Sequence, residues 1–526
     1  MKRYGGLIIA MVSLLLAGCR GDEIVVNPTP RLLEVKVAAS SLVLPAGESA
    51  NMPFTVREEG YSFNYSVSTP QCQVRLMLAG GKTPEGFYLR DVYYNESERT
   101  YIAVIADDGT GKKYDVDAHI AIVHRNAETG VESFVKSGAI HVMAEVTPAG
   151  TVKTGLPIVY LNTDGGRAIT SKTEWVTGSV SIRGQGSLEG LNPATCRIRG
   201  RGNTTWTWPK KPYLVAFDEQ QSVFGFPRHK RWVLLANFMD RTLMRNLVSM
   251  KVSSLTSLEW TPRCQSVEVV LNGTHIGTYL LIEQVRVDKD RVNVGKDGWL
   301  FELDFHYDNP VQWRDHGIPF SVKYPDSDDI TESQKTWARN YIAEVAGAIY
   351  GSSFKDPVSG YAKYLDVDSF IDYWIVYEVM CNHELGNPGS VFFHKSANGK
   401  LTAGPCWDFD WGVLSFQTSN GANDLVNGGA IWYARLFQDP AFKARVKARF
   451  QELKPQLLGI PAYMDECEAY LTESARLNFM MWNPAGDATQ NNGNIINGDE
   501  NLSFHDAVAR LKKNYLQHLQ VIESKL

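Results

Sequence analysis

At 526 residues, with 44% hydrophobic side chains, the chain can fill sizeable cores in two or three domains, which excludes wholesale disorder. A formal charge of −5 is small for this length and excludes general nucleic-acid binding, which needs a concentrated basic footprint. The 13 tryptophans suit glycan or polar-ligand surfaces as well as cores, and core packing is the simpler reading.

In chain order, the first feature is a targeting segment. Lys2 and Arg3 precede an apolar run from Gly5 to Leu16 that ends in Leu16-Ala17-Gly18-Cys19. Residues 1–18 therefore read as a lipoprotein signal peptide, with Cys19 the acylated first residue of the mature protein. The run is too short to span a bilayer, so attachment falls to acyl chains worth roughly 0.8 kcal/mol per buried methylene. A plain secretory peptide cut near Cys19 is the alternative. Residues 19–30 form an acidic, Pro-containing tether whose Arg20-Gly21-Asp22-Glu23 resembles surface-export signals of some Gram-negative lipoproteins. This places the protein in the cell envelope, lipid-anchored, on the outer membrane and exposed at the surface. The other cysteines, Cys72, Cys196, Cys264, Cys381, Cys406 and Cys467, contain no Cys-x-x-Cys, so buried free thiols are expected and structural zinc is not.

Alternation at Leu33, Val35 and Val37, then Leu42 and Leu44, opens a run of short strands that continues through Tyr101–Ala106 and Ala118–His124. Short strands without helical periods predict an immunoglobulin-like β-sandwich over 31–147. It concentrates no chemistry and reads as a spacer or contact surface. Beyond Thr147-Pro148-Ala149-Gly150 the pattern is mixed, which makes the fold class α+β. Strands are expected at Ile158–Leu161, Tyr213–Phe217, Trp232–Ala236, Val267–Leu271 and Thr278–Ile282, the last two joined by an Asn272-Gly273 hairpin. Helices are expected at Asp240–Leu255, Glu332–Ile349, Val367–Met380, Ala441–Leu453 and His505–Ser524. Asn483–Asn501 reads as a long flexible loop.

The chemistry concentrates after Val367–Met380, an almost wholly apolar helix and therefore a buried one. It delivers the polar loop Cys381-Asn382-His383-Glu384-Leu385-Gly386-Asn387-Pro388-Gly389-Ser390, then a hairpin, then Trp407-Asp408-Phe409-Asp410-Trp411. On a regular strand Asp408 and Asp410 would share one face roughly 6–7 Å apart. A turn would instead bring both to one Mg²⁺, which prefers such hard oxygens. An Asp capping a turn is the plain alternative. Buried helix, polar loop, hairpin and metal-binding Asp follow in that order in protein-kinase C-lobes, although His-Arg-Asp and Asp-Phe-Gly are both missing. Upstream, Arg197-Ile198-Arg199-Gly200-Arg201-Gly202 reads either as a turn that lets backbone and arginines approach phosphates or as an ordinary tight turn. Lys210 and Lys211 open the following strand, as phosphate-reaching charges or as solvated edge residues.

Taken together, Gly200-Arg201-Gly202-Asn203-Thr204-Thr205-Trp206, Lys210-Lys211-Pro212-Tyr213, Phe224-Gly225-Phe226-Pro227, Trp232-Val233-Leu234-Leu235-Ala236-Asn237, Asp240-Arg241-Thr242-Leu243-Met244-Arg245-Asn246, Gly277-Thr278-Tyr279-Leu280-Leu281-Ile282-Glu283 and Trp407-Asp408-Phe409-Asp410 resemble the successive landmarks of the CotH-type spore-coat kinases. The resemblance implies an atypical, two-lobed protein-kinase-like domain over 155–526 that binds ATP and Mg²⁺ and phosphorylates Ser or Thr of a protein acceptor. Carried over by position, it implies Lys211 as the phosphate-binding lysine, with Lys210 the competitor, and Glu283 as its ion-pair partner. Arg201 falls on the cofactor, Asp408 and Asp410 on metal, and Asn387 and Ser390 on metal or substrate. The family pattern places an Asp two residues after an Asn in the loop. Here Glu384 follows Asn382, the same charge on a longer arm. His383 as a base, or Arg245 on phosphate, is outweighed by a structural role for each. A surface lipoprotein that has lost catalysis and serves adhesion or glycan binding is the alternative function. A hydrolase using Glu384 and Asp408 would need them roughly 5–10 Å apart across a sugar cleft.

Overall fold

The computed structural model of the protein describes residues 31–44, 49–59, 65–68, 72–108, 114–126, 129–144, 152–415, 422–482, 497–499 and 501–526. The signal peptide, Cys19 and the tether lie outside the described residues. The chain divides into two compact units, Met1–Val146 and Thr147–Leu526.

The described residues of the first unit form nine strands and one short 3-10 turn, Ala79–Gly81: β1 (Arg31–Val37), β2 (Ser41–Leu44), β3 (Ser49–Glu59), β4 (Cys72–Leu78), β5 (Phe87–Asn95), β6 (Thr100–Asp107), β7 (Asp115–Arg125), β8 (Glu132–Lys136) and β9 (Ile140–Ala144). One sheet runs β1-β3-β6-β5; the other runs β2-β9-β7-β4, with β8 on β7. In β4 alternation sends Cys72, Val74 and Leu76 inward and leaves Gln73 and Arg75 half-buried. Val35, Phe54, Ile105, Ile120 and Val142 from both sheets complete one core.

The second unit mixes strands and helices. β10 (Ile158–Thr163), β11 (Val176–Arg183), β12 (Leu191–Gly200), β13 (Tyr213–Gln221), β14 (His229–Leu235), β15 (Cys264–Leu271) and β16 (Thr274–Glu283) close into a barrel in the order β10-β11-β12-β13-β14-β16-β15. The closing pair, β10 with β15, is parallel. Inward positions such as Val159, Ile198, Val215, Phe217, Trp232 and Val269 fill the barrel with β-branched and aromatic side chains. Asn272 and Gly273 both take positive φ in the β15–β16 turn, the conformation a right-handed twist favours there.

A second sheet, β18-β19-β17-β20-β21, is built from β17 (Trp299–Leu303), β18 (Gln312–Asp315), β19 (Ile318–Tyr324), β20 (Val391–Lys395) and β21 (Thr402–Ala403). The helix Val367–Val379 shares one core with this sheet, and every residue from Ser369 to Val379 is buried. Caps set the helix starts: the Asp366 side chain accepts from Ser369 N, and Thr331 with Gln334 makes a capping box for Glu332–Tyr350. The helix expected from Asp240 begins only at Arg245, because the Asp240 carboxylate accepts from Thr242 N and Arg245 N and holds a loop there. The end of the Asn483–Asn501 stretch differs from its reading as a loose loop, since Asn497 and Asp499 are fully buried; residues 483–496 lie outside the described residues.

Lys210 locks the barrel to the helix Ile460–Met481. Fully buried, its Nζ donates to the Thr278 carbonyl and to Asn478 Oδ1 (2.8 Å) and lies 4.5 Å from the Tyr279 ring centre. Burial pushes its pKa down to about 7, with Glu268 opposing. The unfolded chain keeps a lysine protonated up to about pH 10.4. Between these values the unfolded state holds the extra proton, so stability rises with pH, by at most about 1.4 kcal/mol per unit. Lys210→Met is expected to flatten the stability–pH slope between about pH 7 and 9 in urea titrations. An unchanged slope would remove Lys210 from the account.

All six described cysteines are free, five buried and Cys264 half-buried. No helix among the described residues is long and apolar enough to cross a membrane.

Candidate active site

The Asp-x-Asp segment is not strand. Asp408 sits at φ +65°, a left-handed conformation uncommon outside Gly, Asn and Asp that turns the chain sharply. Three hydrogen bonds to two side chains, Asn246 and Asn497, hold the segment. Phe409 N donates to Asn246 Oδ1 (2.8 Å), Gly412 N to Asn497 Oδ1 (3.0 Å), and Asn497 Nδ2 to the Asp410 carbonyl (3.2 Å). Phe409 and Trp407 are buried anchors on either side of Asp408. A strained turn held this firmly presents its two carboxylates in a fixed direction.

Both carboxylates line a narrow cleft, with free room between the side chains for about one water molecule, together with Arg201 and a largely apolar wall of Trp208, Pro212, Leu235, Ala236 and Phe238. The exposed Trp411 stacks on Trp208, ring centres 6.3 Å apart and planes 11° from parallel. Arg201 follows β12 and lies 5.6 Å from the Trp407 ring centre. Its opposing charges are Asp408, Asp410 and Glu302, and burial still draws its pKa down. Both aspartates are pushed up, Asp408 by burial and Asp304, Asp410 by burial, Asp408 and Asp240. The cleft thus holds more negative charge than Arg201 compensates, and a cation entering it would relieve the excess.

Glu384 belongs to the same field. It occupies a short turn, His383–Leu385, whose start is fixed by the Glu384 N–H donating to Asn382 Oδ1 (2.9 Å). Burial, then Asp408, Asp410 and Asp304, drive its pKa well above the usual carboxylate range, and its Oε2 is buried without a hydrogen-bond partner. Ser390 Oγ donates to Asp408 Oδ2 at 3.4 Å, joining the loop to the Asp-x-Asp turn.

A family model described as CotH kinase protein matches residues 198–518. The chain belongs to the CotH kinase family. Among curated proteins, none matches. A solved structure titled "Marsupial T cell receptor" aligns at 12% identity and TM-score 0.14, covering 35% of this chain and 91% of that one, a likeness too slight to carry any argument.

Of the residues assigned by CotH resemblance, the structure brings together Arg201, Asp408 and Asp410, with Glu384 in electrostatic reach. Lys211 and Glu283 do not meet. Lys211 Nζ donates to the Trp206 carbonyl (2.8 Å) and is not among the cleft residues. Glu283 is buried against Arg263, whose Nη1 is 3.0 Å from Oε1, and Arg291 at 3.8 Å. The barrel register explains the separation. β13 and β16 both flank β14, and their pairings put Lys211 level with Tyr279, four residues or about 13 Å of strand from Glu283. Lys210, the competing lysine, is structural. Asn387 is exposed and is not a cleft residue. Gly200 and Gly202 serve packing: an added Cβ would meet the Trp206 ring at 2.2 Å and Thr205 Oγ1 at 2.0 Å. His383 lies nearer Glu378 and His518, with its pKa lowered by burial, and Arg245 is a buried strut.

Sequence reasoning passed over Asp304 and His306, just beyond β17. Asp304 Oδ1 accepts from His306 N (2.9 Å) and pairs with His306 Nδ1 (2.8 Å), and both side chains act electrostatically on Asp408. The available signal was an Asp-x-His directly after Trp299–Leu303, a segment apolar except for Glu302.

Proposed function

We propose that the protein transfers the terminal phosphate of ATP, as its Mg²⁺ complex, to Ser or Thr hydroxyls of a protein acceptor. The observation that carries this reading is the cleft in which Arg201 opposes Asp408 and Asp410, with the orphaned Glu384 oxygen in the same electrostatic field. The barrel and the helical region around the second sheet then serve as the two lobes of an atypical kinase-like fold. Among the described residues no three His, Cys, Asp or Glu side chains form a ready-made metal cage. Mg²⁺ does not require one, since one or two carboxylates with phosphate oxygens and water complete its shell. Excess carboxylate held by burial and mutual repulsion is a donor set that fits such an ion.

Asp408 and Asp410 would hold the metal, which when bound supplies charge neutralisation on the phosphates. Arg201 would contact phosphate oxygens, and Trp208, Pro212 and Phe238 would exclude water from the apolar side. Glu384 would accept the hydroxyl proton as the acceptor oxygen bonds to phosphorus and the nucleoside diphosphate departs. Glu384→Gln removes that acceptor while keeping shape. It is expected to lower transfer about 10²–10⁴-fold while ATP–Mg²⁺ still raises the melting temperature. Full transfer by the Gln variant in a radiolabel assay would end the assignment.

The first unit, read as an immunoglobulin-like sandwich, would act as the spacer from an outer-membrane anchor at Cys19. Cys19→Ala is expected to shift the protein into soluble fractions; unchanged membrane retention would overturn the anchor. A second reading, adhesion through a catalytically silent domain, draws on the exposed Tyr88, Tyr93 and Tyr94 of β5, an edge strand of the kind that recruits partners. Absence of any ATP–Mg²⁺ shift at millimolar nucleotide would favour it.

A further inference from the structure

Outside the cleft, one face of the barrel concentrates positive charge with almost nothing to balance it. Arg197 and Arg199 alternate with the inward Ile198 on β12, so both point away from the barrel core. Arg231 on β14 is in line with Arg197 across Ala216 of β13. All three guanidiniums converge on a single indole: Arg199, Arg231 and Arg197 lie 4.8, 5.1 and 5.5 Å from the centre of the Trp175 ring. Arg286 adds a fourth charge that acts on Arg199 and Arg231, and its own carboxylate partner, Asp326, is 3.7 Å away.

Like charges gathered this closely repel, and the ring offers only weak cation–π compensation. Arg199 donates one Nη to the Lys172 carbonyl, yet its Nε is buried with no hydrogen-bond partner. No hydrogen bond or ion pair from the guanidiniums of Arg197 or Arg231 to another side chain occurs among the described residues. In a chain of net negative charge, the exposed Arg197 beside the half-buried Arg199 and Arg231 and the Trp175 ring makes a site for anions.

We propose that this face binds an acidic segment of the acceptor polypeptide, docking it beside the cleft; the inference rests on the phosphotransfer reading for the identity of its partner. Spacing favours an extended peptide. Arg197, Arg199 and Arg201 recur every second residue, about 6.6 Å apart. That is the repeat of alternate side chains on an extended peptide running alongside. The last member of the series reaches Asp408 and Asp410, so a peptide following the arginines is led to the site of transfer. The nucleotide is the less suitable occupant, because the arginine that opposes the cleft carboxylates is Arg201 and the others lie on the barrel's outer face.

The test is fluorescence anisotropy with the full-length protein and two short labelled peptides, one rich in Asp and Glu, the other its Asn/Gln counterpart. The acidic peptide is expected to bind, to weaken as salt rises, and to outcompete the amide form. Combined Arg197→Glu and Arg231→Glu is expected to weaken it about tenfold or more, since like-charge juxtaposition costs several kcal/mol, with the melting temperature unchanged. Trp175→Ala gives a smaller loss, and Arg90→Glu, on exposed β5, gives none. Equal binding of both peptides, or a double variant that binds as well as the parent, overturns the proposal. So does loss of ATP–Mg²⁺ affinity in the double variant, which would assign the cluster to nucleotide phosphate. Acidic-peptide binding without any phosphotransfer would leave the docking face standing and defeat the phosphotransfer reading alone.

Discussion

Arg245→Met is expected to cost about 3–5 kcal/mol of unfolding free energy, the penalty for breaking a buried ion pair from one side. Arg245 is 2% exposed and meets Asp240 Oδ1 at 2.5 Å and Asp499 Oδ2 at 2.6 Å, both carboxylates fully buried. Its Nε also donates to the Val413 carbonyl (2.9 Å). The two neighbouring carboxylates more than overcome the burial that opposes its charge, so its pKa is driven upward. Methionine fills most of the volume but leaves two negative charges desolvated and the Val413 carbonyl unmet. Arg245→Lys restores the charge without the fork, so it should fall between parent and Met. Urea titration of the three proteins decides this; a Met variant within about 1 kcal/mol of the parent would mean that the triad contributes little. The same contacts tie the 497–499 segment, and through Asn497 the Asp-x-Asp turn, to the helix that starts at Arg245. Loss of Arg245 should therefore loosen the cleft before it unfolds the domain.

The elements most legible in the sequence were those whose local signals agreed with their burial. Val367–Val379 is apolar nearly all round and capped by Asp366, so pattern and cap pointed to one answer. Thr278–Ile282 and Val267–Leu271 were bracketed by Asn-Gly. The strands β17 and β19, and the helix Ile460–Met481, had no such agreement. Trp299–Leu303 is buried on both faces and shows no alternation. Ile460–Met481 opens without a side-chain cap. The Asp408–Asp410 pair was legible because its chemistry is local, two acids between three aromatic anchors. The partners of Lys211 and Glu283 depend on register around a closed barrel, and one offset along β16 turns an expected pair into two unrelated contacts. Neighbouring Lys210 and Lys211 could not be told apart for the same reason. One is directed under β16 and onto Asn478, 268 residues away in sequence, a distance over which local pattern says nothing.

Asp408→Asn is expected to abolish Mg²⁺-dependent nucleotide binding and to lower phosphate transfer about 10²–10³-fold or more, the range for losing one pre-aimed electrostatic contact. Asparagine is the informative replacement because, like aspartate, it tolerates the left-handed φ of +65° at this position. Alanine there would add roughly 1–2 kcal/mol of backbone strain and confuse folding with function. Without ligand, the Asp408 charge raises the pKa of the neighbouring Asp410, so removing one charge relieves repulsion. The apo variant should be at least as stable as the parent. The two proteins should then diverge once ligand is added. Nucleotide at about 100 times its dissociation constant stabilises the parent by about 2.7 kcal/mol, a gain the variant forgoes. Equal or higher stability alone, together with a vanished ATP–Mg²⁺ shift, is a combination that a purely structural Asp408 cannot produce. Transfer retained within about threefold of the parent would instead make Asp408 a turn residue, and the metal would have to be sought elsewhere among the carboxylates.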